Sequence, residues 1–325
     1  MKNLVKILLC LFCITFIAIP GYAEESLQPL TVQLGWFPAA NCAGILIAKD
    51  RGWYKESGID LTVRPWKPGV FTPDEVAGGK AQIGIAAGSL LIKAITDGTP
   101  VRAIAAQFQK SPLCIISKKE KSIRTPAQLA GKRVGFGPPK TKLMAKIVLA
   151  SQGLDFNDIT VAEAGGDLRF LIEDRVDAMS GFINNQPLTM KELGYEVNCI
   201  PAFKYGYDFY SKVFFATDEM IRKQPEQIRK FLDVTFRGWR EVFEDPAAAA
   251  RLIVSNYNSK VSVQQQTESL KTYQYLAFSG VGEDLIGFME ERVWQKGIDT
   301  LYKFQVTDRK IPVDKFFTLA FLKNR

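Results

Sequence analysis

The side chains able to do chemistry in this 325-residue chain are rings, amides and a few cations, and histidine is absent altogether. Without histidine the commonest general base and the commonest metal ligand are both missing, and no cysteine spacing resembles a zinc site. Cys10 and Cys13 lie in an apolar N-terminal stretch. Cys42, Cys114 and Cys199 lie beyond it, an odd number that leaves at least one thiol unpaired in an exported chain. Cys114, inside the apolar run Leu113–Ile116, and Cys199, just before Ile200, read as small buried apolar groups, although one disulfide stays open. Cys42 as a nucleophile needs a neighbouring base, and none is visible. No catalytic residue and no metal ligand is therefore expected.

Trp36, Phe37 and Asn41 stand together in a Gly-Trp-Phe-Pro loop, where two rings and an amide could hold and orient a flat molecule. Gly88 and Ser89 open a helix after a buried strand, so free N–H groups and a hydroxyl suit an anion or a carbonyl oxygen there, with plain N-capping by Ser89 the competing reading. Gln107 sits at the exit of another strand. Lys140 and Thr141 follow Gly137-Pro138-Pro139; the loop lacks the spacing of a phosphate-binding Walker motif, and its prolines remove N–H donors, so these two are weak candidates. Asp167 follows a Gly-Gly pair. Asn184, Asn185 and Gln186 offer paired donors and acceptors suited to a heteroaromatic edge, against a turn role before Pro187. Tyr205, Tyr207 and Tyr210, with Phe209, could close over a ligand as a stacking lid or pack as core.

These residues fall at the ends of strands. Leu30, Val32 and Leu34 alternate as a half-buried strand, Pro38 breaks it, and Asn41 offers a helix N-cap to the apolar run from Ala43. Residues 59–63 form the next strand. Strand and helix then alternate through strands at 81–87 and 101–107 with 113–117 extended, then at 132–136, 159–162, 176–180 and 196–200. The helices between them lie at 73–79, 90–96, 142–152, 168–174 and 188–193. That rhythm predicts an α/β fold with helices on both faces of a mostly parallel sheet, ligands binding at the carboxyl ends of the strands. Charged residues 118–125 read as a first crossover into a second lobe and aromatic residues 202–209 as the return. The expected division is 24–117 with 214–325 as lobe 1 and 118–213 as lobe 2. Helices follow at 225–243, where the apolar stripe has helical spacing, and at 246–257, 263–278 and 284–297.

Residues 1–23 carry Lys2 and Lys6, an apolar run from Leu4 to Ile19 and small residues at 21 and 23, the pattern of a cleaved signal peptide. Its removal would lower the net charge from +8 to +6. The cluster at 110–133 lacks the interleaved aromatics of a nucleic-acid surface and reads as a solvated face; mild basicity would steer anionic ligands.

The run LGWFP-x-x-N-x-AG-x-x-x-AK-x-x-GWYK-x-x-GID, continued at 74–88, 126–137, 177–187 and 205–217, resembles periplasmic solute-binding proteins of the NMT1/THI5-like family. The resemblance implies a two-lobed type II periplasmic binding protein fold with two crossovers at the hinge. It implies capture of a small aromatic or heteroaromatic molecule, such as a thiamine pyrimidine precursor, by hinge closure. Delivery would be to the permease of an ABC importer, from the periplasm, with a monomeric protein, no cofactor and no nucleic acid. A ligand sensor, or a receptor for a sulfonate or other small anion, is the alternative. Two departures stand out. Gln186 lies where pyrimidine-binding members typically carry a carboxylate, so the edge pattern of the ligand differs. Cys42 lies where pyrimidine-related members carry a histidine, which argues against the self-consuming pyrimidine synthase chemistry of the eukaryotic enzymes.

Overall fold

The computed structural model describes residues 27–137 and 139–322; the signal-peptide reading of residues 1–23, and Pro138 of the proline loop, lie outside them. The chain opens with β1 (Gln28–Gln33), whose alternation buries Leu30 and Val32, with Leu34 buried just beyond. A 3-10 turn at Ala40–Cys42 leads into α1 (Ala43–Asp50) and α2 (Trp53–Glu56), and β2 (Ile59–Arg64) returns parallel to β1. Then come α3 (Thr72–Ala77), β3 (Ile83–Ala86), α4 (Gly88–Thr96) and β4 (Val101–Phe108). All four residues of β3 are buried, as an apolar run in a central strand requires.

After β4 the chain crosses at residues 109–112 and becomes β5 (Leu113–Lys118), β6 (Arg133–Phe136), α5 (Pro139–Ala150), β7 (Thr160–Glu163), α6 (Arg169–Ile172), β8 (Ala178–Phe182), α7 (Gln186–Glu192) and β9 (Val197–Pro201). It returns as β10 (Ser211–Thr217). The tail is α8 (Asp218–Lys223), α9 (Pro225–Glu244), α10 (Pro246–Asn256), α11 (Val263–Phe278) and α12 (Glu291–Lys303).

Two five-stranded mixed sheets result, ordered β2-β1-β3-β10-β4 and β7-β6-β8-β5-β9. Parallel pairs join β1 to β2 and β3, and β6 to β7 and β8. The antiparallel members are the strands that follow a crossing: β10 against β3 and β4, and β5 against β8 and β9. The first crossover thus precedes residue 113, and β5 belongs to the second sheet, five residues earlier than the charge shift at Lys118 suggested. Lys118 is itself buried, its charge matched by Asp174 at 2.7 Å, so the change in composition marks a strand end. The helix expected from 284 begins only at Glu291; residues before it run along β4, where the Ala106 N–H donates to the Gly287 carbonyl at 3.0 Å.

The apolar stripe of α9, from Ile228 through Phe231 and Trp239 to Phe243, is buried against α1 and the first sheet. The helices touch at two glycines: a Cβ on Gly238 would lie 2.0 Å from the Gly44 carbonyl oxygen. Trp239 is fully buried, a side chain whose truncation typically costs about 3–5 kcal/mol. On the other face, Leu91, Ala103 and Phe215 pack through Tyr207, Phe209 and Tyr210 onto Ile115, Val134 and Phe136, so one apolar cluster runs from sheet to sheet. The far face of the second sheet packs Cys114, Ile116, Leu171 and Met179.

Candidate functional site

The first loop comes off β1 at Gly35, where a Cβ would sit 2.5 Å from the Ile85 carbonyl oxygen; only glycine lets the chain pass this close to β3. Beyond it Trp36 and Phe37 remain 48% and 44% exposed. Trp66, from the loop after β2, stacks on Trp36 with ring centroids 5.1 Å apart and planes 22° from parallel. Phe37 stands edge-on to both rings, at 5.4 Å from Trp36 and 5.8 Å from Trp66. The Trp66 N–H donates to the Trp36 carbonyl at 3.3 Å, and the indole N–H donates to Val70 at 2.9 Å, fixing the second loop to the first. Three rings thus meet at the carboxyl end of two parallel strands, half open to solvent. Water-exposed aromatic surface of this kind is the usual mark of a binding face.

Asn41 follows in the 3-10 turn. It is buried and donates its Nδ2 to the Phe37 carbonyl at 3.1 Å, holding the ring loop in place without capping α1. Beside it, Cys42 donates its thiol to Ala39 at 3.4 Å, and burial pushes that thiol up to about 11. A thiol held protonated at neutral pH is a poor nucleophile.

The charge of Lys212 acts on Cys42. Lys212 lies in β10, half-buried, with a left-handed φ of 54°. Its carbonyl accepts from Gln107 Nε2 at 3.1 Å, while Gln107 Oε1 accepts from Trp239 Nε1 at 2.8 Å. Burial, together with the nearby charge of Lys140, holds the Lys212 ammonium down to about 8. Lys140, in the first turn of α5, carries its Nζ over the Phe182 ring at 5.2 Å, and desolvation lowers its pKa as well. Phe182, at the end of β8, donates its N–H to Gln186 Oε1 at 2.8 Å. Lys212 on the first sheet thus lies near enough for its charge to act on Cys42, beside the ring loop, and to be acted on by Lys140 of the second lobe, whose Nζ meets Phe182.

Other expected residues are placed differently. Gln107 is 1% exposed with both ends of its amide engaged; it supports the site from beneath. The Gly88 N–H donates to the Tyr210 carbonyl at 2.9 Å, and the Ser89 hydroxyl pairs with the Tyr207 hydroxyl at 3.2 Å, so this junction grips the returning chain. Tyr207 and Tyr210 are 2% and 3% exposed, Tyr205 packs on the same cluster, and the Tyr210 hydroxyl accepts from the Glu290 N–H at 2.6 Å. These tyrosines form packing between the sheets instead of a lid. Asp167 is chelated by the Arg169 guanidinium, with the shortest contact 2.6 Å; that partner holds its carboxyl down at about 2. Thr141 is buried in the first turn of α5.

Asn184 and Asn185 face α11. Asn184 Nδ2 donates to Ser269 at 3.0 Å, and the Tyr273 hydroxyl interacts with the same amide. Gln265 Nε2 donates to Thr189 at 2.8 Å and to Asn185 Oδ1 at 3.3 Å. Of the three amides expected to line a ligand, two therefore join a helix beside the second sheet to one that pads the first. Sequence reasoning missed Trp66 and Lys212. For Lys212 the available signal was a lone cation inside the apolar run Ser211–Thr217; for Trp66 it was a ring at a strand end, as at Trp36. Among the described residues, Cys42, Cys114 and Cys199 are free thiols.

Residues 39–249 match the family model described as NMT1/THI5 like. The riboflavin-binding protein RibY of Chloroflexus aurantiacus is 23% identical over 313 residues, 92% of this chain and 88% of that protein. A protein of Legionella pneumophila named 4-amino-5-hydroxymethyl-2-methylpyrimidine phosphate synthase is 27% identical over 230 residues, covering 69% of this chain and 72% of its own. Among solved structures, the periplasmic aliphatic sulphonate binding protein SsuA of Escherichia coli superposes with a TM-score of 0.70 at 13% identity over 90% of this chain and 92% of its own, a likeness of fold.

Proposed function

The chain belongs to the NMT1/THI5-like family, and from that premise we propose that it is a periplasmic solute-binding protein that captures a small heteroaromatic molecule and presents it to the permease of an ABC importer. The observation that carries the reading is the half-exposed stack of Trp36 and Trp66 with Phe37 on edge. A planar ring laid on such a stack gains burial and stacking together. A relative named for riboflavin and another named for a substituted pyrimidine fit a flat, nitrogen-rich guest.

The mechanism is hinge closure about residues 109–112 and 202–210, the two chain passages between the sheets. The junction of α7 with α11 supports it, because Gln265 with Thr189, Ser262 with Glu192 and Asn184 with Ser269 are polar bonds of the kind that can open and re-form. Ligand touching both lobes favours the closed state by its differential affinity for it. The protein acts without transforming its guest: the chain has no histidine, and the buried thiol of Cys42, next to the ring loop, is held protonated. The synthase relative makes turnover the competing reading.

Native mass spectrometry of protein purified without denaturation tests the proposal, with small-angle scattering before and after addition of the recovered compound. A bound ring compound released unchanged, with a smaller radius of gyration in its presence, is expected. Recovery of a chemically altered compound after incubation, or no change in dimensions on saturation, would overturn the reading.

A further inference from the structure

Partly buried lysines elsewhere in this protein are matched by carboxylates: Lys118 meets Asp174 at 2.7 Å and Lys110 meets Asp208 at 2.7 Å. Lys212 and Lys140 differ. Among the described residues neither forms an ion pair, although Lys212 is half-buried and its surroundings include the second cation. An unmatched ammonium group in a half-buried place, as at Lys212, costs free energy in the empty protein; the exposed Lys140 adds a second positive charge nearby, and an arriving anion would offset both.

Local geometry adds a second observation. Lys212, the second residue of β10, adopts a left-handed φ of 54° between Ser211, aligned with Phe108, and Val213, aligned with Ala106. A non-glycine residue pays of order 1 kcal/mol or more for that conformation, and it persists where the surroundings over-determine it, most often at functional sites. Here the Gln107 amide, itself anchored by the buried Trp239 indole, holds the Lys212 carbonyl. The Lys212 charge is felt at Cys42, which follows the ring loop. On the opposite side Lys140 stands in the first turn of α5, a helix of 12 residues with no acidic side chain in that turn, so the positive end of the helix adds to the lysine's charge.

We propose that Lys212 and Lys140, one from each lobe, together hold an anionic oxygen group carried by the ring ligand: a phosphate, sulfonate or carboxylate. The inference rests on the solute-binding reading and narrows its ligand class, the tryptophan stack taking the ring and the lysines taking the anionic end. An anion that reaches both lysines bridges the lobes, so the same contact that selects the ligand also favours closure. Because an anion stabilises the charged form of Lys212, which is held down to about 8, binding above that pH takes up a proton, and affinity falls up to about tenfold per pH unit there.

The test uses the mature protein with three probes: inorganic phosphate, riboflavin and riboflavin 5′-phosphate. At constant ionic strength set with chloride, phosphate is expected to raise the melting temperature of the native protein, and the rise should vanish in Lys212→Met and in Lys140→Met, each checked for folding by circular dichroism. Riboflavin 5′-phosphate should bind at least tenfold more tightly than riboflavin, with the ratio collapsing towards one in either variant and recovering in part in Lys212→Arg. If both flavins bind equally well and phosphate does not stabilise, the lysine site is refuted while ring capture stands. If neither flavin binds but the phosphate effect is present and lost in the variants, the lysine site stands and the ring class is wrong. A phosphate effect that survives both substitutions refutes the assignment to these residues.

Discussion

Replacing Trp36 with alanine isolates the ring platform from the rest of the molecule. The side chain is 48% exposed, and an aromatic side chain buries about 150–250 Å² when fully enclosed, so roughly 100 Å² remains for a ligand to cover. With one face already taken by Trp66 at 5.1 Å, a ligand stacks on the open face alone and covers about half of that exposed area, leaving the ring edges in water. At about 25 cal/mol per Å² this gives roughly 1–1.5 kcal/mol, and stacking adds about 0.5–1.5 kcal/mol. The expected loss is therefore about 2 kcal/mol, a Kd about thirtyfold weaker. Stability should change little, by less than about 1.5 kcal/mol, because the ring is half-exposed and its ring contacts are with Trp66 and Phe37 at the surface. Isothermal titration with the compound recovered from the native protein measures the first quantity and urea unfolding the second. Trp36→Phe should fall between, and Tyr275→Ala, an exposed ring on α11, should leave Kd unchanged. A Kd within twofold of the native value for Trp36→Ala, in a protein with unaltered unfolding, would remove the stack from the binding site.

Gly238→Ala should destabilise the protein by about 1–3 kcal/mol in urea unfolding, since its methyl would lie 2.0 Å from the Gly44 carbonyl oxygen and α1 must move off α9; a neutral result would show the helices free to separate. Gln107→Leu should cost about 2–5 kcal/mol by leaving both the Trp239 indole N–H and the Lys212 carbonyl without partners in the core, with unfolding again the measure. Among the three thiols, Cys199 should alkylate fastest and with a pH profile below that of an ordinary thiol, because the Cys114 thiol donates to it and lowers its pKa. Cys42, buried and pushed up to about 11, should stay unlabelled until the chain unfolds; mass spectrometry of iodoacetamide-treated peptides over a pH series decides between them.

Much of the scaffold was legible in local pattern. The alternation at Leu30, Val32 and Leu34, the fully apolar Ile83–Ala86 and the stripe from Ile228 to Phe243 each specify an element by burial alone, and each is buried as its period requires. Trp36 and Phe37 were legible because Pro38 forces a turn that leaves them exposed. What local pattern could not supply was the partner across space. Tyr207 and Tyr210 look the same in a sequence whether they cover a ligand or pack between sheets; Ser89 and Glu290, distant in the chain, decide for packing. Asn184 reads as a ligand amide until Ser269 is found beside it. Lys212, a lone cation in the apolar run 211–217, gains meaning only when β10 is placed between β3 and β4. Lys118 shows the reverse error: a charge taken for a linker is a strand end satisfied by Asp174, 56 residues away.

The seat of β10 also governs how the protein can be made. The fourth place in the first sheet is filled by residues 211–217, between strands that end at residues 86 and 108. Until more than a hundred further residues have emerged, β3 and β4 each present an unsatisfied inner edge, a natural template for pairing with the wrong chain. The second sheet, contiguous from β5 to β9, has all its strands by residue 201. Assembly therefore runs inward from the middle of the polypeptide, the inserted half maturing first and the enclosing half locking last. A fragment ending before Ser211 would aggregate through its own open edges, and a separate peptide spanning 211–217 could rescue it by filling the slot.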